Sequence, residues 1–182
     1  KKKKFELIGY SMGGVIATSY SARNPDRVKR LILIAPAGTG HNLGISARVA
    51  KIPLFGWGLF LTFFGLQHVR STKKFKDIKS SVPKIVERQL NELLFKGFVP
   101  SVLSSIKGIL SKDSYDDHKA LRNADFEILA FWGDCDTVIP IQCKEVLSSW
   151  NSSINNVVIR NGTHSLPFTN AREIIDGIYS GN

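Results

Sequence analysis

Residues 9–14 read Gly-Tyr-Ser-Met-Gly-Gly, and this stretch constrains the fold more than any other part of the chain. The apolar run at 5–8 before it favours a strand, and residues 15–22 after it suit a helix. The pattern therefore predicts that Ser11 lies in a sharp turn between a strand and a helix. There its hydroxyl would be exposed beside the unpaired amides of a helix N-terminus, which suits a nucleophile whose reaction forms an oxyanion.

The sequence also predicts that this turn requires glycine at two positions. A nucleophile between strand and helix adopts a strained backbone conformation, so we expect Gly9 and Gly13 to be required because a β-carbon would clash with neighbouring backbone. The alternative is an ordinary glycine-rich turn in which Ser11 only caps the helix.

Polar residues also follow two later apolar runs. Residues 126–132 lead into a turn with Asp134 and Asp136, and residues 155–160 lead into a glycine-containing loop that ends at His164. A carboxylate at the end of one strand can reach a histidine on the next strand-end loop and fix its tautomer. Capping the following helix is the alternative role for an aspartate here, and we favour it for Asp134. A loop histidine is more often a solvated residue.

The order serine, acid, histidine is that of the α/β-hydrolase arrangement, and the chain resembles serine hydrolases of that fold over essentially all of its length. The motif at 9–14, together with residues 24–34, is similar to esterases and monoacylglycerol-lipase-like members. The resemblance implies that Ser11 is the nucleophile and His164 the base. A serine at this position differs from the aspartate nucleophile of epoxide hydrolases and haloalkane dehalogenases.

The resemblance also chooses between the two aspartates. The pattern Gly-x-x-Asp-x-x-x-Pro, formed by Gly133, Asp136 and Pro140, resembles the acid loop of the family and implies that Asp136 orients His164. In such enzymes the backbone N–H after the nucleophile, here that of Met12, forms half of the oxyanion hole. The family often takes the second donor from a His-Gly loop that precedes the nucleophile strand.

The implied fold is α/β, the C-terminal half of an α/β-hydrolase sheet with flanking helices and a helical lid insertion. Four strands normally precede the nucleophile strand, so we expect this chain to be the C-terminal portion of a longer protein. Its first strand would then expose an unpaired edge, which is an aggregation hazard. About four mostly parallel strands are expected to be contiguous, at about 5–8, 31–34, 126–132 and 155–160.

The predicted core comprises 1–37 and 121–182, and residues 38–120 form the lid or cap, because they are too many for a loop. Residues 52–66 are strongly apolar but shorter than the roughly 20 residues of a membrane-spanning helix. We favour a lid helix there over a membrane anchor, and a lid that dips into a lipid surface is a third interpretation. Two helical faces are expected in this insertion: Val82, Ile85, Val86, Leu90, Leu93 and Leu94 on one, and Val99, Val102, Leu103, Ile106 and Leu110 on the other.

The chain is strongly basic, with 25 Lys and Arg against 15 Asp and Glu and a net charge of +10. A solvated helix face combined with a general bias toward lysine is favoured over binding to anionic membranes or acidic ligands. Nucleic-acid binding is less favoured because no aromatic platform or known motif accompanies the charge. A cluster of basic residues follows the apolar segment: Arg70, Lys73, Lys74, Lys76, Lys79, Lys84 and Arg88.

The composition and short motifs of the chain further limit its domain number, its disulfide and metal sites and its location. At 43% hydrophobic residues the 182-residue chain suits one globular domain, and only Cys135 and Cys143 occur, which argues against a disulfide framework. No Cys or His spacing suggests a metal site, and no cofactor is expected. The glycosylation sequon at 161–163 adjoins the proposed base, where a glycan would crowd it, which favours a cytoplasmic location. No function is expected for His41, His68 and His118.

The leading functional hypothesis is a serine hydrolase that cleaves carboxylic esters with apolar acyl groups through an acyl-enzyme on Ser11. The partner is then a small-molecule or lipid ester. A C–C hydrolase, thioesterase or amidase of the same fold is an alternative, since the triad does not separate these reactions. A non-catalytic lipid-surface or binding module, or an inactive fragment, is an alternative of another class.

Overall fold

The computed structural model describes residues 3–40, 56–74 and 78–180. Its strands are β1 (Phe5–Tyr10), β2 (Val28–Ile34), β3 (Glu127–Gly133) and β4 (Ile154–Ile159). The α-helices of these ranges are α1 (Met12–Arg23), α2 (Gly56–Lys73), α3 (Ile85–Asn91), α4 (Phe98–Lys107), α5 (Tyr115–Ala120), α6 (Gln142–Trp150), α7 (Leu166–Thr169) and α8 (Ala171–Tyr179). His41, Lys76 and residues 52–55 of the apolar segment lie outside the described ranges.

The four strands form one parallel sheet in the order β1-β2-β3-β4. The register pairs Tyr10 with Ile34, Ile34 with Phe131 and Phe131 with Val157, so one continuous row crosses the sheet near the carboxyl ends of the strands. The predicted contiguous parallel strands are therefore confirmed. Because the strands are parallel, the loops that follow β1, β3 and β4 all leave the same edge of the sheet.

The central strands are covered on both faces, which explains their nearly continuous apolar sequences. Leu31, Ile32 and Leu33 of β2 are fully buried, and so is Phe131 of β3. Ile174 and Ile178 of α8 pack into the same core. Full burial of each such side chain contributes roughly 1.5–3 kcal/mol to the stability of the fold. This core therefore stabilises the sheet whose carboxyl edge carries the polar loops.

The chain divides into two compact units, one formed by residues 1–41 and 112–182 and the other by residues 42–111. In the second unit Phe60 is fully buried and its ring stacks on Phe64 of the same helix. The core of this unit also contains all five residues of the second predicted helical face: Val99, Val102, Leu103, Ile106 and Leu110.

The first predicted helical face of the insertion, over 82–94, is interrupted. Helix α3 ends at Asn91, and a 3₁₀ turn at Glu92–Leu94 follows, which leaves Leu94 79% exposed. Among the described residues no single helix is long and apolar enough to cross a bilayer. The segments Ile85–Leu94 and Phe98–Ser111 reach that length and composition only together, with a bend of 89° at the break.

Candidate active site

Ser11 lies between β1 and α1 in the left-handed region of backbone conformation, with φ 52° and ψ −119°. A non-glycine residue in such a conformation costs of order 1–3 kcal/mol and persists only where its surroundings impose it. Here the imposing contacts are backbone hydrogen bonds to the end of β2 and to the loop that follows it. The amide of Ser11 donates to the carbonyl of Ile34 at 3.0 Å, and the amide of Ala37 donates to the carbonyl of Ser11 at 3.0 Å. The serine is therefore held at the carboxyl edge of the sheet.

The positions around the turn that leave no room for a β-carbon differ in part from those predicted from the sequence. A β-carbon on Gly9 would lie 2.5 Å from the carbonyl oxygen of Gly13, so Gly9 is required, as predicted. The prediction for Gly13 is wrong, because a β-carbon built there would meet no described atom within 4 Å apart from its chain neighbours and the backbone of its own helix. Gly14 is the second tight position, since its β-carbon would lie 2.8 Å from the side chain of Pro36. The helix thus needs small residues where it passes β1 and the loop after β2.

Asp136 is buried in the turn after β3, with its side chain inaccessible to solvent. Its Oδ1 accepts hydrogen bonds from the backbone amides of Val138 at 2.7 Å and Ile139 at 2.8 Å. A buried carboxylate needs such donors, because burial removes its hydration. These bonds fix the carboxylate so that Oδ2 remains for another partner.

That partner is His164. Its Nδ1 lies 2.8 Å from Oδ2 of Asp136, and its Nε2 lies 3.0 Å from Oγ of Ser11. With the carboxylate as acceptor, Nδ1 carries the ring proton and the unprotonated Nε2 accepts from the serine hydroxyl. The structure therefore brings together Ser11, Asp136 and His164. In the sequence His164 lies 153 residues after Ser11 and 28 residues after Asp136. The arrangement can remove a proton from the serine and stabilise the resulting imidazolium.

Two glycines bring the acid turn and the histidine loop together. A β-carbon on Gly133 would collide with the carbonyl oxygen of Gly162, and one on Gly162 would lie 3.0 Å from the α-carbon of Gly133. The carbonyl of Gly162 instead accepts the amide of Cys135 at 2.9 Å. The two loops that carry Asp136 and His164 are thus fastened by their backbones. The sequence contains these glycines, but only the register of the sheet shows that they meet.

Tyr10 is a site residue that the sequence-based prediction did not identify. Its hydroxyl donates to the backbone carbonyl of His164 at 2.6 Å, and the two ring centroids are 5.2 Å apart. Burial, and to a lesser extent the nearby charge of Asp136, raises the pKa of this phenol, so it remains a hydrogen-bond donor at ordinary pH. Its place beside Ser11 in the glycine motif was the available signal. A contact 154 residues away could not be read from that motif.

The amide of Met12 is the first of helix α1, where backbone N–H groups have no intrahelical acceptor and the helix dipole is positive. This places a potential oxyanion donor directly after Ser11. Asp134 is not part of the cluster: it lies beside the exposed thiol of Cys135, whose pKa is raised by a hydrogen bond to Asp134. Among the described residues no group of three or more His, Cys, Asp or Glu side chains could hold a metal ion.

Of the histidines without a predicted role, His118 of α5 is fully buried and its Nδ1 has no hydrogen-bond partner among the described residues. Burial lowers its pKa to about 4, against a smaller opposing effect of Asp117. His68 stacks on Phe64 and its Nε2 lies 3.2 Å from the carbonyl of Gln89. Neither side chain has a hydrogen bond or ring contact with the Ser11–His164–Asp136 cluster among the described residues.

A family model for the alpha/beta hydrolase fold matches residues 1–171. The chain belongs to this family. The α/β-hydrolase is 25% identical over 177 residues to the pimeloyl-[acyl-carrier protein] methyl ester esterase of Wigglesworthia glossinidia brevipalpis, a match that covers 91% of this chain and 64% of that protein. It is 27% identical over 196 residues to monoacylglycerol lipase ABHD6 of Mus musculus, which covers 98% of this chain and 56% of the lipase.

Solved structures show the same fold. The crystal structure of a meta-cleavage product hydrolase from Pseudomonas fluorescens matches with a TM-score of 0.66 at 18% identity, covering 99% of this chain and 66% of that one. The α/β-hydrolase described here thus spans between about half and two thirds of the length of the proteins it matches. The predicted α/β-hydrolase fold and family are confirmed, while the lid insertion stays a prediction.

Proposed function

We propose that this α/β-hydrolase is a serine hydrolase that cleaves carboxylic esters with apolar acyl groups. One observation carries the proposal: the side chains of Ser11, His164 and Asp136 form an unbroken chain of hydrogen bonds at the carboxyl edge of the sheet. The relatives support the ester class, because one is named a methyl ester esterase and another a monoacylglycerol lipase.

In the proposed reaction Oγ of Ser11 attacks the ester carbonyl while Nε2 of His164 takes its proton. His164 then returns this proton to the leaving alcohol, and an acyl-enzyme remains on Ser11. Water, deprotonated by His164, attacks the acyl-enzyme; the acid is released as His164 returns the proton to Oγ of Ser11. Asp136 keeps the imidazole in the productive tautomer and stabilises its protonated form.

The developing negative charge on the carbonyl oxygen needs donors, and the Met12 amide is the proposed one. Its support is its place at the N-terminus of α1, directly after the nucleophile. One such donor typically contributes a factor of about 10²–10³ in rate. The second donor of the family pattern is not assigned to any residue of this chain.

The insertion at 38–120 is proposed to act as a lid. Its support is its position in the chain between β2 and β3 and the separate helical core of residues 42–111. A lid supplies apolar surface for an acyl chain, which suits the proposed substrate class. C–C hydrolysis, thioester hydrolysis and amide hydrolysis remain alternative reactions, and a non-catalytic module remains the alternative of another class.

A substrate panel tests these proposals: p-nitrophenyl esters of rising acyl length beside a thioester, an amide and a vinylogous diketone. We expect ester turnover that increases with acyl length and falls by at least about 10⁴-fold in Ser11→Ala and in His164→Ala. Ser152→Ala, at an exposed serine of the loop before β4, is the matched control and should retain full activity.

Each failure of this experiment has a distinct meaning. Turnover of the diketone alone would replace the ester proposal by C–C hydrolysis. Turnover that survives Ser11→Ala would remove the nucleophile assignment. A folded chain without turnover on any substrate would leave the non-catalytic module or the inactive fragment as the alternative.

A further inference from the structure

The positive charge of the chain is concentrated in one of its two units. Residues 42–111 contain 11 Lys and Arg and 3 Asp and Glu, so they carry +8 of the net charge of +10. The remaining 112 residues are nearly balanced, with 14 basic and 12 acidic residues. A general bias toward lysine would charge both units alike. The asymmetry therefore points to a partner of opposite charge for the helical unit.

Helix α2 has an inner face that is used for packing. The rings of Phe60 and Phe64 stack with centroids 5.1 Å apart, and Phe64 stacks in turn on His68. His68 also contacts Phe98 at the start of α4 edge-on. Phe60, Phe64 and His68 recur at every fourth position, so one side of α2 faces the core of its own unit.

The opposite side of α2 is exposed and carries a different sequence. Phe63 and Leu66 are 58% and 55% exposed, and Arg70 and Lys73, also exposed, continue the same stripe toward the C-terminus. We refer to Phe63, Leu66, Arg70 and Lys73 as the α2 outer face. Their spacing of three, four and three residues puts them in line on the helix.

Charge and apolar surface are separated along this face. Its first half is apolar and its second half basic, and α2 contains no acidic residue. Neither Arg70 nor Lys73 forms an ion pair with a described residue. Apolar side chains next to cations suit an anionic lipid bilayer, where apolar groups can enter among the acyl chains and cations can lie at the head groups.

A groove continues from this face toward α3, and its volume is about 630 Å³. Lys73 and Lys84 lie on it as cations, while Val86 and Leu90 supply apolar surface. Glu87 also lines the groove and its carboxylate lies 3.8 Å from the ammonium group of Lys84, so Lys73 is the groove cation that has no ion pair with a described residue. Apolar walls beside lysines suit a phospholipid, which has an anionic head and an acyl chain.

We infer that the α2 outer face docks this protein on the surface of an anionic phospholipid bilayer. A nucleic acid fits the face less well, because Phe63 and Leu66 would remain exposed beside a polyanion that contacts only the cations. A second copy of the chain fits less well too, because two units of +8 repel each other. Docking requires no chemistry at Ser11, so the inference does not rest on the proposed function.

Vesicle co-sedimentation of the 182-residue chain tests the inference. We expect binding to phosphatidylcholine vesicles with about 30% phosphatidylserine, and at least about tenfold weaker binding to phosphatidylcholine alone. Binding should weaken when NaCl rises from about 0.1 M to about 0.5 M. The double variants F63S/L66S and R70Q/K73Q should each lose about tenfold or more in affinity for the anionic vesicles. Ser11→Ala should bind like the parent chain.

Matched controls lie on the other unit. Ile175→Ser removes a side chain of α8 that is 53% exposed, and Lys29→Gln/Arg172→Gln removes two exposed cations. Both controls should bind like the parent chain. As a second measurement, the emission of Phe63→Trp should shift to the blue when anionic vesicles are added, and that of Ile175→Trp should not.

Several results would overturn the inference. Absence of vesicle binding would do so, as would equal binding to neutral and anionic vesicles. Equal losses in the control variants would show that net charge acts without the α2 outer face. Tight binding of a short DNA duplex that depends on Arg70 and Lys73 but not on Phe63 and Leu66 would identify a polyanion site instead.

Discussion

At the residue scale, the arrangement around His164 depends on contacts to both its side chain and its backbone. In His164, Nδ1 is hydrogen-bonded to Asp136, Nε2 to Ser11, and the backbone carbonyl to the hydroxyl of Tyr10. His164 is therefore held at two ring atoms and one backbone atom, by the end of β1, the turn after β1 and the turn after β3. A catalytic base needs this restraint because small errors in its position reduce the rate of proton transfer strongly.

Tyr10→Phe should lower kcat about tenfold with little change in KM. The substitution keeps the ring against the imidazole but leaves the carbonyl of His164 without its donor, which costs roughly 1–2 kcal/mol. Steady-state kinetics with the preferred ester measures the effect. Tyr20→Phe, in α1, is the matched control and should match the parent chain. An unchanged kcat in Tyr10→Phe would show that the phenol does not position the base.

The stability of the fold should fall in mild acid because of His118. Its pKa in the folded chain is lowered to about 4 from a usual value of 6.5, so the unfolded chain binds the proton first. The penalty begins as the pH falls below about 6.5 and reaches about 3 kcal/mol near pH 4. Urea titrations at pH 7 and pH 4.5 should show that His118→Leu loses less stability on acidification than the parent chain. Equal losses in both proteins would contradict the lowered pKa.

At the element scale, β1 and α1 leave apolar surface uncovered. Among the described strands β1 pairs with β2 alone, and Ile8 of β1 is 57% exposed. Ile16 of α1 is 50% exposed beside it, and both line a groove of about 430 Å³. An unpaired strand edge next to apolar side chains favours pairing with another chain.

Ile8→Lys should therefore reduce self-association of the 182-residue chain. A charge at an edge strand opposes pairing with another copy and costs little where the side chain is already exposed. Sedimentation velocity over a concentration series measures the effect. Ile175→Lys, at an exposed position of α8, should associate as the parent chain does. Equal association of all three proteins would show that the β1 edge is not the contact.

At the scale of the whole molecule, the features that the sequence predicted correctly are those that depend on local residue patterns. The parallel strands follow from apolar runs of the right length, and the family resemblance follows from three motifs in order. Two features were missed because they depend on which segments meet in space: the Tyr10 contact and the tight position at Gly14 instead of Gly13. The break after Asn91 that exposes Leu94 was missed because the apolar spacing over 82–94 continues through it.

The central claim is that Ser11 is a nucleophile activated by His164. Its most direct test is labelling of the chain with a fluorophosphonate, followed by peptide mass spectrometry. The account predicts one adduct, on the peptide that contains Ser11, and a rate of labelling that falls by orders of magnitude in His164→Ala. An adduct on a different serine, or labelling that persists unchanged in Ser11→Ala, would contradict it.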